Sequence, residues 1–588
     1  MPAPGSHSAA PPLSPALAWG LRLGAGSLLV VVAVFDAELV FIAVMAVVCA
    51  VLWQTAGAQR RARILAGRLL ITMAALATID YVQHRLVAVD MDGWWLAVPL
   101  LLVEIHAIFQ SVGFNLTQWW PRDDLSGREA VIAAGSGHPP PPILILVPTV
   151  NEGRSVLGPT LRGAIAARAR LLERWPDAQV TIAVANDGYV AGYADWRDNE
   201  ALARELGVLC HTRTLGGGAK AGNIEATRHA LMPAETPYLL AVFDADQVPE
   251  PDFLVRLVPY FADPQLGWVQ TGQYYRNLDN IMARWAEQQM RLFYDVILPP
   301  KSRMNAVFLC GTNFLLRSQA IDGIGGFPLS SVTEDFAASI HMHAQGWNSL
   351  YHAERLSSGI GPSDFGGFVG QQNRWAVGTL GVTFRNLGLL VLGRSRKGRL
   401  TLRQRVQYLL SGTYYLCGVR DVVFVLAPLL FLVAGVETVS ADAGLWVTFI
   451  VYWALNLLTM SGFANGRFIV GYTLLEFACV HTFVAAFFSA LTGRKVRFTV
   501  TPKARTGRRD LSRMRYQAVL AVVIVAACAV GLATGAFFTA VLVNVAWMVY
   551  RLLIVLGILG IAWVSDQQRA RALRVEAVPG ARLAEPVA

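Results

Sequence analysis

Charge is scarce in this chain, and cysteines are few and ungrouped. Only 15% of the 588 residues are Asp, Glu, Lys or Arg, against 54% hydrophobic residues, and the mean hydropathy is +0.44. That composition is too apolar for a purely soluble globular protein, and a polytopic membrane protein is expected. The six cysteines, Cys49, Cys210, Cys310, Cys417, Cys479 and Cys528, form no C-x-x-C pair and no zinc spacing. Neither a disulfide framework nor a structural zinc site is expected from them. The opening MPAPGSHSAAPPLSPALAWG lacks the basic start and the A-x-A site of a cleaved signal, so we expect no cleavage.

What is present is a series of apolar runs. A hydrocarbon core of about 30 Å needs roughly 20 apolar residues per helix. Four runs precede residue 120, near 15–35, 37–53, 64–82 and 94–114, and four follow residue 405, near 422–436, 445–463, 518–538 and 541–564. Arg60, Arg61 and Arg63 lie between the second and third runs, whereas Asp36 to Glu38 and Asp90 to Gly93 fill the neighbouring turns. Positive residues stay on the cytoplasmic side, so the expected topology is multi-pass in the plasma (inner) membrane with both termini and the central insert cytoplasmic. The stretch 468–491 cannot cross once without placing the basic segment after it outside; it reads as interfacial or re-entrant, giving eight spans. The net charge of +10 is thus a topology signal, and no nucleic-acid partner is expected. The expected organisation is 1–120 for the first four spans, 121–385 for the insert, 386–565 for interfacial helices and the later spans, and 566–588 for a tail.

The insert alternates short apolar runs ending in polar residues (ILILVPTVNEG, TIAVANDGY, YLLAVFDADQVP) with helical stretches such as TLRGAIAARARLLERW. That alternation predicts an α/β sheet, mostly parallel. Ligands of such sheets bind at the carboxyl ends of the strands, where Asn151, Glu152, Asp187, Asp244 and Asp246 fall. Asp244 and Asp246, on alternate positions of FDAD, can offer two carboxylates to one hard cation and leave positions for diphosphate oxygens. A lone D-x-D is weak; here it stands in order with NDG, AKAGN, TED (Thr333 to Asp335) and QQNRW (Gln371 to Trp375). Singly, Glu334 with Asp335 reads as a helix start, Arg374 beside Trp375 as a stacking pair, and Cys310 as a small core residue.

In that order the motifs resemble processive, membrane-integrated family 2 glycosyltransferases, most closely the catalytic subunit of bacterial cellulose synthase. The resemblance runs from PTVNE through NDG, AKAGN, FDAD, FLCGTNFLLR, TED and QQNRW to FTVTPK, about 140–503. It implies an α-helical polytopic membrane protein with an inserted cytoplasmic α/β GT-A domain, a UDP-sugar donor (UDP-glucose), Mg2+ or Mn2+, and a nascent β-glucan chain extruded through the bilayer by the same chain, with accessory export or cell-surface subunits as further partners. The implied roles are donor binding by Thr149, Glu152, Asp187, Lys220, Asp244, Asp246, Gln371 and Arg374, with Asp244 and Asp246 on the metal. Asp335 is implied as general base, Trp375, Cys310, Gly311 and Glu334 as acceptor contacts, and Phe498, Val500, Thr501 and Lys503 as a gating loop within 494–510.

This chain departs from the family's pattern at Asn186, Val150 and Gly272, where an aspartate, an aromatic and a proline are common. About two dozen residues follow the last apolar run, too few for the cyclic-di-GMP-binding PilZ barrel of many relatives, so that input is expected to be absent. Glu104, His106, Gln110, Tyr414, Tyr415 and Asn456 are polar groups in or beside apolar runs. Such groups face either a neighbouring helix or a polar pathway. The leading expectation is a processive inverting synthase making cellulose from UDP-glucose. β-1,3 or mixed-linkage products, a non-processive lipid-linked transferase, and a transporter with an inert insert are the alternatives.

Overall fold

The computed structural model describes residues 60–90, 92–120, 139–150, 152–233, 235–396, 398–439, 443–464, 469–493, 509–534 and 538–576, together with Val44, Val47, Val48 and Val51. The runs at 15–35 and 37–53 therefore lie almost wholly outside the described residues, and so does the FTVTPK segment. Six described helices are long and apolar enough to cross a membrane: 62–87, 94–118, 414–434, 444–463, 515–534 and 539–571. The stretch read as interfacial or re-entrant forms two helices, Ile469–Ala478 and Val480–Leu491, bent by 60° at Cys479. Counted as one broken span, the pair gives seven. The chain is an integral membrane protein.

The insert is built on a seven-stranded sheet. Its strands are β1 (Ile143–Thr149), β2 (Val180–Asn186), β3 (Leu209–Thr212), β4 (Leu239–Val242), β5 (Leu266–Thr271), β6 (Phe314–Arg317) and β7 (Asn348–His352). They lie in the order β3-β2-β1-β4-β6-β5-β7, with only β6 running against its neighbours. β1, ILILVPT, is buried throughout. Because successive side chains of a strand point to opposite faces, Ile143, Ile145 and Val147 enter one apolar core with the helix Arg154–Arg174, while Leu144 and Leu146 enter another with the helix Ala219–Leu231. A continuous apolar run is what a strand covered on both faces requires.

The sheet does not stand apart from the membrane helices. One buried cluster joins Met282, Tyr294, Val307, Phe365 and Phe368 of the insert to Leu475, Phe483 and Ile558 of the apolar helices. Its geometry is set by the helix Phe365–Arg385, which starts where the Asp364 side chain accepts from Gly367 N at 2.8 Å. An acceptor of that kind satisfies one of the first, unpaired amides of a helix. Asp510, just beyond the undescribed FTVTPK segment, accepts from Phe365 N at 3.0 Å and from Ser565 Oγ at 2.6 Å, tying that helix start to the last membrane helix.

Candidate active site

The strand ends converge as the sheet requires, and their charges are already paired. Asp187, after β2, receives a two-pronged ion pair from Arg213, whose Nη2 lies 2.7 Å from Oδ2. Arg213 also donates to Gly217 O at 2.6 Å and Ala219 O at 3.0 Å. One buried guanidinium thus holds Asp187 and the glycine-rich turn that leads into Lys220. Asn186 is turned inward: its amide donates to Trp196 O and Thr212 Oγ1 and its oxygen accepts from Gly188 N, so it shapes the loop beneath Asp187. Glu152 folds back onto its own strand end, accepting from Thr149 Oγ1 at 2.8 Å and Val150 N at 2.7 Å. Asn151 lies outside the described residues.

Lys220 is the centre of the arrangement. Its ammonium pairs with Asp244 and donates to Gly311 O at 2.7 Å. Burial works against its charge, but Asp244 and Glu334 outweigh burial and hold its pKa above the ordinary lysine value. Gly311 sits at φ +81°, a backbone conformation in which side chains are strained. A methyl there would fall 3.1 Å from Asp335 Oδ2 and 3.7 Å from Lys220 Nζ. The base candidate, the lysine and the FLCG turn therefore meet around one point.

Glu334 and Asp335 form the first turn of the helix Glu334–Ala344, and Asp335 Oδ1 accepts from Phe336 N at 2.8 Å. Burial first and the adjacent Glu334 second push the Asp335 carboxyl up to about 8; burial likewise raises Glu334. Glu334 is buried, with Lys220 the main group favouring its charge. The helix carrying QQNRW crosses directly over this turn: a methyl at Gly378 would meet Thr333 Cγ2 at 2.5 Å. That close crossing brings Arg374 among Asp244, Glu334 and Asp246, while burial lowers its pKa. Asp246 is buried and accepts from Ile360 N at 3.3 Å. Gln371 is half-buried on the same helix.

From this point a cavity of about 540 Å³ extends into the membrane helices. Asp335, Cys310 and Trp375 line one end, and Gln110, Asn456 and Trp547 line it among the apolar helices. Of the six polar residues singled out in the apolar runs, Glu104, Gln110, Tyr414, Tyr415 and Asn456 lie on its wall; His106 turns to Thr413 O at 3.0 Å. Two arginines of the wall are paired, Arg420 with Glu476 at 2.6 Å and Arg551 with Asp421 at 3.4 Å. Burial, then Asp335, pushes the Cys310 thiol up, so it offers a neutral, compact side chain to the cavity wall.

Arg213 and Lys301 are absent from the motif reading. Lys301 lines the cavity fully buried, donating to Ser411 Oγ at 2.8 Å, and burial lowers its pKa to about 7. A basic residue inside the apolar stretch VILPPKSRM was the available signal. For Arg213, nothing local separates it from a surface loop arginine.

The glycosyl transferase family 2 model matches residues 144–325, and the model for glycosyl transferase family group 2 matches 239–464. The chain is 29% identical over 385 residues to putative cellulose synthase 2 of Komagataeibacter xylinus, covering 63% of this chain and 24% of that protein. It is 27% identical to cellulose synthase 1 of the same organism, over 90% of this chain and 34% of the relative. To the UDP-forming cellulose synthase catalytic subunit of Pseudomonas fluorescens it is 28% identical, over 68% of this chain and 51% of the relative. The chain thus spans between about a quarter and about half of the length of these relatives. A mannosyltransferase structure from Pyrobaculum calidifontis, solved with GDP-Man and Mn2+, aligns with a TM-score of 0.41 and 13% identity over 68% of this chain and all of that one. Two overlapping glycosyl transferase models thus match between 144 and 464, and the relatives are named cellulose synthases; the chain is a glycosyltransferase similar to the cellulose synthase-like enzymes of family 2.

Proposed function

We propose that the chain is a processive, inverting β-glucan synthase that elongates cellulose from UDP-glucose on the cytosolic side and passes the polymer through its own membrane helices. The observation that carries this reading is the cavity leading from Asp335 and Trp375 to Asn456 and Trp547. A single-transfer enzyme has no use for a wall of aromatic and hydroxyl-bonding groups running from its base into the bilayer. Aromatic faces and paired polar groups suit a ribbon of sugar rings, apolar on its faces and hydroxylated at its edges.

In the reaction, Asp335 takes the proton of the acceptor hydroxyl while that oxygen forms its bond to the anomeric carbon. The bond from that carbon to the UDP oxygen breaks, and UDP leaves with the electron pair. Attack opposite the leaving group inverts the centre. Trp375 supplies a stacking face for the terminal sugar, with Cys310, Gly311 and Glu334 around it. Asp187, held by Arg213, recognises the nucleoside with Thr149 and Glu152; Arg374 offers a planar fork to the diphosphate, with Gln371 beside it. The donor set fits a divalent ion: Asp244 and Asp246 stand on alternate positions at one strand end, and Lys220 already places a cation on Asp244. Among the described residues no third His, Cys, Asp or Glu joins them, so Asp244 and Asp246 would be the two side chains holding the ion, with positions left for diphosphate oxygens as magnesium favours. Bound there, the ion neutralises charge on the departing UDP. Phe498, Val500, Thr501 and Lys503 are proposed to cover the nucleotide.

The test supplies purified protein in lipid with labelled UDP-glucose and Mg2+ or Mn2+, and digests the product with linkage-specific glucanases. Polymer cut only by a β-1,4-glucanase is expected. Cleavage by a β-1,3-specific or mixed-linkage enzyme moves the assignment to that glucan, and a single sugar on lipid ends the processive reading.

A further inference from the structure

Between Asp364 and Asp421 the chain has no Asp or Glu, yet it carries nine Lys and Arg residues. Five of them, Arg385, Arg394, Arg396, Arg399 and Arg403, are exposed, and among the described residues none makes an ion pair. They gather on a short antiparallel hairpin, Arg394–Ser395 with Gly398–Arg399, and on its flanks. Beside them stand four exposed apolar side chains, Leu387 at 45%, Val391 at 50%, Leu392 at 71% and Leu402 at 67%. Water solvates the cations well but leaves the bare apolar side chains between them uncovered.

The patch has a definite place in the fold. The Arg403 guanidinium lies 5.3 Å above the ring of Trp120, two residues past the membrane helix 94–118, and the next apolar helix starts at 414. Tryptophan at the end of a span marks the headgroup level. The hairpin is also held firmly: Leu400 N donates to Gly393 O at 2.8 Å, and Arg405 Nε donates to Leu390 O at 2.9 Å.

We infer that this hairpin patch binds the headgroups of anionic phospholipids, its arginines taking lipid phosphates while Leu387, Val391, Leu392 and Leu402 enter the acyl boundary. Guanidinium forks match phosphate oxygens, and a cluster of four to eight basic residues immediately cytoplasmic of a span is the pattern that holds anionic lipid. Exposed apolar side chains beside them in the chain add the insertion that a topology signal alone does not need. A nucleic-acid partner fits worse, since the leucines and Trp120 would have to meet a phosphate backbone.

The site reaches the catalytic helix. Gly398, at φ +124°, lies so close to Ala344 O that a methyl there would collide with it, and Ala344 ends the helix that Glu334 and Asp335 begin. Beneath the patch Phe336, Ile340, Leu389, Leu390, Leu400 and Tyr408 form one buried cluster. Lipid on the outer face therefore braces the Asp335 helix from behind; this catalytic consequence rests on the proposed glycosyl transfer.

The test uses the full chain. Purified protein is offered equal amounts of phosphatidylglycerol and phosphatidylcholine, and bound lipids are counted by native mass spectrometry. Phosphatidylglycerol is expected to be preferred by roughly fivefold per engaged arginine. The triple variant Arg394→Gln, Arg396→Gln, Arg399→Gln should lose the preference, and the corresponding triple Lys variant should keep most of it. Equal preference in the Gln variant overturns the site, and displacement of the lipid by soluble glycerol phosphate reduces it to a free-phosphate site and overturns the lipid assignment. In bilayer discs, sugar transfer by the unmodified chain should be several-fold faster with phosphatidylglycerol than with phosphatidylcholine alone, and the Gln variant should be indifferent. Lipid preference with no transfer in any disc would sink the enzymatic reading and leave the lipid site standing.

Discussion

The proposed donor end of the site and the cavity beyond it are built on opposite plans. At the donor end, charges meet charges across short reaches: Asp187 with Arg213, Lys220 with Asp244, and Arg374 among Asp244, Glu334 and Asp246. Asp187, Arg213, Asp244 and Asp246 sit in the loops that follow strands, while Lys220, Glu334 and Arg374 are brought to them by helices. The cavity instead takes Gln110, Cys310, Asp335, Asn456 and Trp547 from helices and turns hundreds of residues apart. Arg420 with Glu476 and Arg551 with Asp421 are neutralised in pairs, while Lys301 rests on hydrogen bonds to Ser411 and Gln407, so most of the wall presents aromatic faces and hydrogen-bonding groups. An electrostatic clamp suits a ligand held once per cycle, and a neutral wall suits a ligand that must slide.

The sharpest way to break that contrast is at the junction. Asp335→Asn removes the proton acceptor while keeping shape, and should lower sugar transfer by about 10²–10⁴-fold with UDP affinity nearly unchanged. Transfer at the unmodified rate would remove Asp335 from the mechanism. Arg213→Met should act on the donor end alone. It leaves Asp187 buried without its partner, a loss on the order of 3–5 kcal/mol, seen as a lower melting temperature and weak UDP binding. A variant with normal UDP affinity would show that Arg213 is a surface ornament of the loop.

The pH dependence separates stability from activity. Asp335 has a folded-state pKa of about 8, above its ordinary value near 4. The folded state therefore binds the proton more tightly, and the stability this confers is complete below about pH 4 and is lost as pH rises toward 8. Activity runs the other way, because only the carboxylate accepts a proton. The acidic limb of kcat/KM should lie near pH 8 in the free enzyme, and Asp335→Asn should melt higher than the unmodified chain at pH 9 but alike at pH 4. A limb near pH 4 would contradict the burial and the Glu334 repulsion together. The smallest expected effect lies on the cavity side: Trp375→Ala should shorten the polymer several-fold, with UDP affinity within about twofold, as befits one lost stacking face. Unaltered polymer length would detach Trp375 from the acceptor path.

Legibility followed the range of the interactions. The continuous apolar run of β1, the D-x-D pair after β4 and the TED helix start are local patterns, and each appears in the element its local sequence indicates. Arg213 was not legible, because only the return of the 213–219 loop over β2 turns a loop arginine into the partner of Asp187. The bend at Cys479 was half-legible: charge balance argued against a single crossing, while the 60° break itself appears only in the structure. Gly272 and Asn186 depart from the family's pattern, and Asn186 keeps the loop geometry through four hydrogen bonds of its amide.

By itself the sequence determined the class of the protein, the order of its membrane runs, the α/β insert and the carboxylates at its strand ends, because hydropathy, side-chain period and motif spacing are properties of neighbouring residues. The tertiary structure alone decided that Lys220, Gly311 and Asp335 share one point, that five of the six polar residues line a cavity while His106 does not, and that the arginine hairpin backs the Asp335 helix. These are contacts between elements far apart in the chain, chosen by which apolar faces bury against each other, and no local pattern carries that information.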